Sequence, residues 1–414
     1  MDTYARMPVS FSKGSGAHLW DTSGKSYLDM FSGIAVASLG HANESIADTI
    51  SEQAHRLCHV SNVYGNELGE ELADRIDALV RAGYEDQDHR QSRDQSQYNP
   101  ARDGSSARGR VFLCNSGAEA NECAIKLARK WKAGATSEAT GERGAPGIIL
   151  ATEGSFHGRT LATWAASGKS IGNQDYEPLP GGFSHVPYND IAALEDRLSV
   201  GDVSAFLVEP IQGENGVVEP DGGYLAAARE LCSRYGALLI VDEVQTGLAK
   251  TGKWFAFQYE DILPDIVTVA KALGNGMPIG ACWARAEVAS AFRPGDHGST
   301  FGGQPLACAA AIATLKIMQE IEAPSRAMKI GIIIDRRLTG LKPISSLSGR
   351  GALRGITLDG DRASDVAREA LERGLLVNAP RPGVIRIAPP LIITDEELES
   401  ALGILASSIE EVFK

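Results

Sequence analysis

Runs of four uninterrupted apolar residues recur through the middle of the chain, each followed at once by a polar, glycine-bearing stretch. Val111-Phe112-Leu113-Cys114 leads into Asn115-Ser116-Gly117-Ala118-Glu119, and Ile148-Ile149-Leu150-Ala151 leads into the loop holding Phe156-His157-Gly158-Arg159. Ala205-Phe206-Leu207-Val208 leads into Glu209-Pro210-Ile211-Gln212-Gly213-Glu214. Leu238-Leu239-Ile240-Val241 delivers Asp242-Glu243-Val244-Gln245-Thr246-Gly247, and Ile266-Val267-Thr268-Val269 ends in Ala270-Lys271-Ala272-Leu273-Gly274. Runs that are apolar at every position, rather than at every second one, predict strands buried on both faces. Helical stretches such as 119–133 and 223–235 separate them, so the pattern predicts a mostly parallel sheet covered by helices on both sides. In such α/β sheets ligands bind beyond the carboxyl ends of the strands, where all five loops fall.

The flanks read differently. Ala17-His18-Leu19-Trp20, the turn Asp21-Thr22-Ser23-Gly24 and Ser26-Tyr27-Leu28-Asp29-Met30 predict a β-meander. Residues 44–79 follow a helical period. From about residue 309 the chain returns to helices and short strands, with strands expected at 349–358 and 384–387. The last helix is marked by a Thr394/Glu397 capping box and by the stripe Leu398, Leu402, Leu405, Ile409 and Val412. The expected organisation is a large cofactor-binding domain, 76–308, with a smaller α/β domain assembled from 1–75 and 309–414. Residues 85–108 are rich in Gln, Asp, Arg and Ser throughout, with Tyr98 as their single large apolar side chain. Too polar to offset their ordering entropy by burial, they are expected to form a mobile surface insert.

Composition narrows the classes. A chain of 414 residues, 43% hydrophobic and 22% charged, has ample capacity for a buried core and more length than one domain needs. Its formal net charge of −13 disfavours nucleic acid and anionic membrane as partners. Cys58, Cys114, Cys123, Cys232, Cys282 and Cys308 are scattered in apolar contexts without a CxxC pair, which predicts reduced core thiols and a cytoplasmic location. No apolar run approaches the roughly 20 residues of a membrane span. His55 and His59 have the i, i+4 spacing of a helical metal pair, but position 56 is Arg56 and no third ligand is evident, so no metal site is expected.

The chemistry concentrates on Asp242 and Lys271. A lysine just past a buried strand is partly desolvated, which lowers its pKa and favours the neutral amine that condenses with carbonyls. A carboxylate at the end of a neighbouring strand suits a protonated pyridinium nitrogen. These are the parts that pyridoxal phosphate requires, Lys271 for the Schiff base and Asp242 for the ring nitrogen. Ser116-Gly117-Ala118-Glu119 adds S-x-x-E capping logic at a helix start, where free N–H groups and the positive dipole end suit a phosphate. Gly117 and Ala118 would offer backbone N–H groups and Ser116 its hydroxyl.

VDEVQTG followed by VAKALGNGMPIGA, together with NSGAEAN, FHGRT, EPIQGE and HGSTFGGQPLACAAA in that family's order, resembles the class III aminotransferases, the ω-amine branch of fold-type I pyridoxal-phosphate enzymes. The likeness covers nearly the whole chain apart from the 85–108 insert. It implies that Phe156 stacks on one face of the cofactor ring, Val244 packs on the other, and Gln245 meets the ring's phenolic oxygen. It implies that Thr300 reaches the phosphate in a neighbouring subunit, hence a homodimer with shared sites. It also implies a substrate set of Arg159, Glu209, Glu214 and Arg386. Arg159 would grip a carboxylate far from the reacting carbon and Arg386 a carboxylate on it, while Glu214 would pair with Arg386 whenever the bound amine lacks the second carboxylate. The resemblance therefore implies transfer of an ω-amine to 2-oxoglutarate. The δ-amine of N-acetylornithine is the first choice of donor, with ornithine, succinylornithine and 4-aminobutyrate as alternatives. Asn215, Lys250 and residues 64–68 depart from the family's commonest pattern.

Overall fold

A computed structural model of the protein describes residues 1–84, 108–134, 145, 147–168 and 173–414. The insert expected at 85–108 lies outside these, apart from Arg108. The N-terminal meander is present as β1 (Phe11–Ser15), β2 (His18–Asp21) and β3 (Ser26–Asp29), paired antiparallel.

The apolar runs become five of the strands of a seven-stranded sheet made of β4 (Arg110–Cys114), β5 (Ile148–Thr152), β6 (Phe183–Val186), β7 (Val203–Val208), β8 (Leu238–Asp242), β9 (Ile266–Val269) and β10 (Gly280–Ala284). Their order is β4-β10-β9-β8-β7-β5-β6. Every residue of β7, β8 and β9 is buried, as continuous apolar runs require when both faces are covered. The pairs from β6 through β9 are parallel, and β10 is antiparallel to both of its neighbours, so β4 again points with the majority. The five expected strands thus share one direction. Reversal of β10 brings its entry, Gly276 to Ile279, to the edge where the five polar loops emerge.

Residues 44–79 form two helices, Glu44–Arg56 and Glu67–Arg81, each begun by an asparagine whose side chain caps it. The first ends at Arg56, so His59 is not on the helix with His55; its ring instead lies 5.5 Å from that of Phe301. Among the described residues no cluster of side chains could hold a metal, and no helix is long and apolar enough to cross a membrane.

Past the alanine-rich helix Pro305–Glu320, the C-terminal part supplies β11 (Ile344–Ser348), β12 (Arg354–Leu358), β13 (Leu375–Leu376), β14 (Asn378–Arg381) and β15 (Val384–Ile387). The strand expected over 349–358 starts only at Arg354. Residues 349–353 turn instead, with Ala352 N–H donating to the Lys250 carbonyl and Leu353 N–H to that of Arg350. β13 pairs with β3, and the backbone bonds Ala388 N to Met30 O and Leu391 N to Ser38 O, both 2.7 Å, join the two ends of the chain further. These bonds tie residues 30–40 to the stretch that follows β15.

The final helix, Asp395–Val412, begins as its capping box directs. Glu397 N–H donates to Thr394 Oγ1 at 3.1 Å, and Thr394 N–H to Glu397 Oε2 at 2.8 Å. Thr394→Ala removes one of these bonds and should lower stability by about 1 kcal/mol, with an unchanged slope in urea unfolding. A midpoint equal to that of the parent chain would show that the box contributes nothing.

Candidate active site

Adjacent parallel strands place the two central residues. Asp242, the last residue of β8, lies in register with Thr268 of β9, and the chain leaves β9 at Val269 to reach Lys271. Lys271 has φ +42°, a left-handed conformation that is uncommon for a residue with a side chain and costs on the order of 1–3 kcal/mol. Burial pushes its amine down to about 8. A nucleophilic amine at near-neutral pH follows from that shift.

Asp242 is buried and accepts three hydrogen bonds. Val244 N–H donates to Oδ1 at 3.0 Å, while Asn121 Nδ2 and His157 Nδ1 both donate to Oδ2 at 2.8 Å. Asn121 is itself fully engaged, since its Nδ2 also reaches the His157 carbonyl at 2.8 Å and its Oδ1 accepts from Thr268 Oγ1 at 2.7 Å. Because a carboxylate oxygen accepts, the His157 proton resides on Nδ1, and the buried Nε2 has no partner among the described residues. Asn121, His157 and Thr268 were not singled out from sequence. A polar residue on the buried face of a helix and a hydroxyl within an all-apolar strand were the signals available.

The loops enclose a cavity of about 410 Å³ at the carboxyl edge of the sheet, lined by Ser116, Gly117, Ala118, Phe156, Arg159, Glu209, Glu214, Asp242, Val244, Gln245 and Lys271. Val36, from the N-terminal segment, and Gly276 to Ile279, leading into β10, complete the wall. Ser116 precedes the helix Gly117–Gly134 and caps it, with Oγ accepting from Glu119 N–H at 3.2 Å. As first-turn residues, Gly117 and Ala118 present N–H groups that no earlier carbonyl of the helix can take. Gly117 lies flat against Val244, because a Cβ there would come within 2.7 Å of Val244 Cγ1. Phe156 N–H donates to Glu209 Oε1 at 2.8 Å, and burial raises the Glu209 carboxyl to about 7. The Arg159 guanidinium lies over the rings of Phe156, at 5.3 Å, and Trp164, at 4.7 Å.

Arg386, on β15, stands buried behind this wall. Its Nη1 donates to Glu214 Oε1 at 2.5 Å and to Gln245 Oε1 at 3.1 Å, and its Nη2 to Asn378 Oδ1 at 2.8 Å. Burial pushes the Glu214 carboxyl up more than any other single influence, but the charge and hydrogen bond of Arg386, with the Lys271 charge and the Gln245 amide, together outweigh it and hold the group below its ordinary value. Asn378 was not anticipated, and nothing in its local sequence marks it. Of the expected site residues, Arg386 stands behind the cavity wall and Thr300 lies outside the cavity, exposed beside the exposed Phe301.

A reactive amine, a buried carboxylate on the next strand, a helix start and the apolar Phe156 and Val244 in one cavity lining fit an anionic aromatic aldehyde. The fold and site are those of a pyridoxal-phosphate-dependent transferase. Residues 2–409 match the aminotransferase class-III family, and the chain belongs to it. The acetylornithine aminotransferase of Methanothermobacter thermautotrophicus is 45% identical over 100% of this chain and 96% of that protein. That of Methanopyrus kandleri is 45% identical over 99% and 96%. Among solved structures, the ornithine aminotransferase of Toxoplasma gondii superposes with a TM-score of 0.87 at 35% identity, covering 100% of this chain and 93% of that one. Another structure of that Toxoplasma gondii enzyme, with a TM-score of 0.86 at 35% identity over 99% and 93%, is described with PLP at its active site. The acetylornithine aminotransferase of Elizabethkingia anophelis gives 0.80 at 34%, covering 99% and 96%. The protein is an aminotransferase that uses pyridoxal phosphate.

Asn121→Ala should cost about 1–3 kcal/mol in urea unfolding, because it takes a donor from buried Asp242 and strands the Thr268 hydroxyl. Thr268→Val, which removes only the hydroxyl, should cost less. Equal losses for the two would show that the Asn121–Asp242 bond adds nothing of its own.

Proposed function

We propose that the enzyme transfers the δ-amino group of N2-acetylornithine to 2-oxoglutarate, giving N-acetylglutamate 5-semialdehyde and glutamate, a cytoplasmic step of arginine biosynthesis. The Arg386–Glu214 pair carries this reading. Glutamate and 2-oxoglutarate bear a carboxylate on the reacting carbon, which Arg386 can take in place of Glu214. The carbon bearing an ω-amine has none, and an unpaired buried arginine would then cost about 3–5 kcal/mol. Glu214 supplies the missing charge in that half of the reaction. Arg159, at the cavity mouth, serves the distal carboxylate that both substrates share. Relatives named acetylornithine aminotransferase that align over nearly their full length support the acetylated donor. Similarity to Toxoplasma gondii ornithine aminotransferase makes ornithine the second reading.

In this reading Ser116, Gly117 and Ala118 hold the cofactor phosphate, Phe156 and Val244 hold the two ring faces, and Gln245 faces the phenolic oxygen. Asp242, fixed by Asn121 and His157, holds the ring nitrogen. When bound, the cofactor supplies an electron sink that lets a C–H bond beside the amine ionise. Lys271 Nζ would hold the cofactor and, once released, would be the group that takes up that proton and gives it back. Glu209, with a carboxyl near neutrality, closes the wall behind Phe156.

The reading includes a homodimer with shared sites. Thr300 points away from its own cavity, and Asn62 Nδ2 ties the segment bearing exposed Val63 and Tyr64 to the Ser299 and Gly302 carbonyls at 3.0 and 2.9 Å. Those side chains and Phe301 are apolar surface that a second copy would cover.

A panel of amine donors with 2-oxoglutarate tests the substrate, and acetylornithine should exceed ornithine and 4-aminobutyrate in kcat/KM. Single-turnover measurements test the gate. Arg386→Ala should weaken glutamate and 2-oxoglutarate by about 2–5 kcal/mol and largely spare the amine half-reaction, while Glu214→Gln should impair the amine half. Equal damage to both halves by Arg386→Ala would overturn the assignment. Mixing inactive Lys271→Ala with inactive Thr300→Ala should restore about one working site per heterodimer. If subunits exchange and no activity returns, each site belongs to one chain.

A further inference from the structure

Gln245 meets both partners of the Arg386–Glu214 pair. Its Oε1 accepts from Arg386 Nη1 at 3.1 Å, and its Nε2 donates to Glu214 Oε1 at 3.3 Å. A guanidinium has only donors and a carboxylate only acceptors, so the amide can face them in one orientation alone. The second edge of the guanidinium is committed to Asn378, which leaves the Nη1 edge as the one a substrate carboxylate would take over. Gly213, just before Glu214, is shaped to this amide, because a Cβ there would fall 1.8 Å from Gln245 Oε1. The same buried side chain lines the cavity beside Val244.

We infer that Gln245 is a third member of the gate, so that displacement of Glu214 from Arg386 also frees the Gln245 amide on the cofactor side of the cavity. The inference rests on the reading of Arg386 and Glu214 given above. While the gate is closed, Gln245 spends one N–H on Glu214 and its carbonyl on Arg386. A carboxylate arriving at Arg386 displaces Glu214, the acceptor of that N–H, and the released N–H is left facing the side of the cavity where the phenolic oxygen would lie. The charge state of the gate thereby reaches the cofactor through one side chain, without any backbone movement.

A double-mutant cycle on the cofactor-loaded enzyme tests this, with glutarate as an unreactive dicarboxylate and calorimetry as the readout. Glu214→Gln should tighten glutarate by about tenfold in the parent chain but by no more than about twofold when Gln245 is already methionine, since coupled neighbours are not additive. Gly213→Ala, which displaces the amide without deleting it, should reproduce the Gln245→Met result. Glutarate should also shift the visible absorbance of the bound cofactor in the parent chain, and the shift should fall by at least half in Gln245→Met at saturating glutarate. A full tenfold gain in both backgrounds, or an undiminished absorbance shift, overturns the inference. Failure of the functional reading looks different: the parent chain would bind no glutarate and Glu214→Gln would change nothing, and this inference would fall with it.

Discussion

The constraint on which the site depends is a carboxylate held below the cavity floor with its oxygens already engaged. Asp242 could not sit at the buried end of β8 without donors, and the chain supplies them from three places, the Asn121 helix, the His157 loop and its own following turn. Thr268 holds Asn121 from the next strand. Each donor is aimed by an element of the sheet or its covering layer, so the carboxylate's position is a property of the core rather than of a loop. Lys271 is fixed in a comparable way, by a left-handed backbone at the exit of β9. With both ends of the cofactor site tied to adjacent strands, the rest of the cavity can be built from loops without loss of registry.

Selectivity uses different physics. The cofactor side relies on a carboxylate fixed by three donors and on close packing, whereas the substrate side sets one buried guanidinium against one movable carboxylate. Such a pair is not a source of stability, because desolvation offsets much of its attraction. Its value lies in being exchangeable. Asn378 keeps Arg386 oriented whichever carboxylate is present, so the arginine stays put while its partner changes.

The central strands were legible because burial on both faces leaves nothing polar to interrupt an apolar run, and the final helix because its capping box is local. β10 was missed: Gly280-Ala281-Cys282-Trp283-Ala284 has too little branched or aliphatic bulk to read as a strand, and its direction depends on neighbours far away in sequence. β6 was missed as well, since an edge strand reading Phe-Ser-His-Val carries no continuous apolar signal. For the site, the resemblance rather than any local pattern paired Glu214 with Arg386, and it named none of the bonds that hold Asp242. Nothing periodic connects Glu214 to Arg386 across 172 positions, and nothing local shows that the Asn121 side chain ends on Asp242.

The joining of the two chain ends through β3 and β13 has a consequence for synthesis. Residues 30–40, which carry Val36 to the cavity, take backbone bonds from Ala388 and Leu391, and His18 meets Glu397 across 379 positions. A ribosome adding roughly 5–20 residues per second delivers Arg386 on the order of ten seconds after Lys271. During that interval the sheet is completed by β10 and the lysine turn can form, while Arg386 and Asn378, the fixed half of the gate, do not yet exist. The nascent protein therefore acquires its reactive centre before its means of discrimination, and the N-terminal meander must wait as an unpaired edge until the last strands emerge. Chains released early would keep the chemistry's scaffold and lose its selectivity.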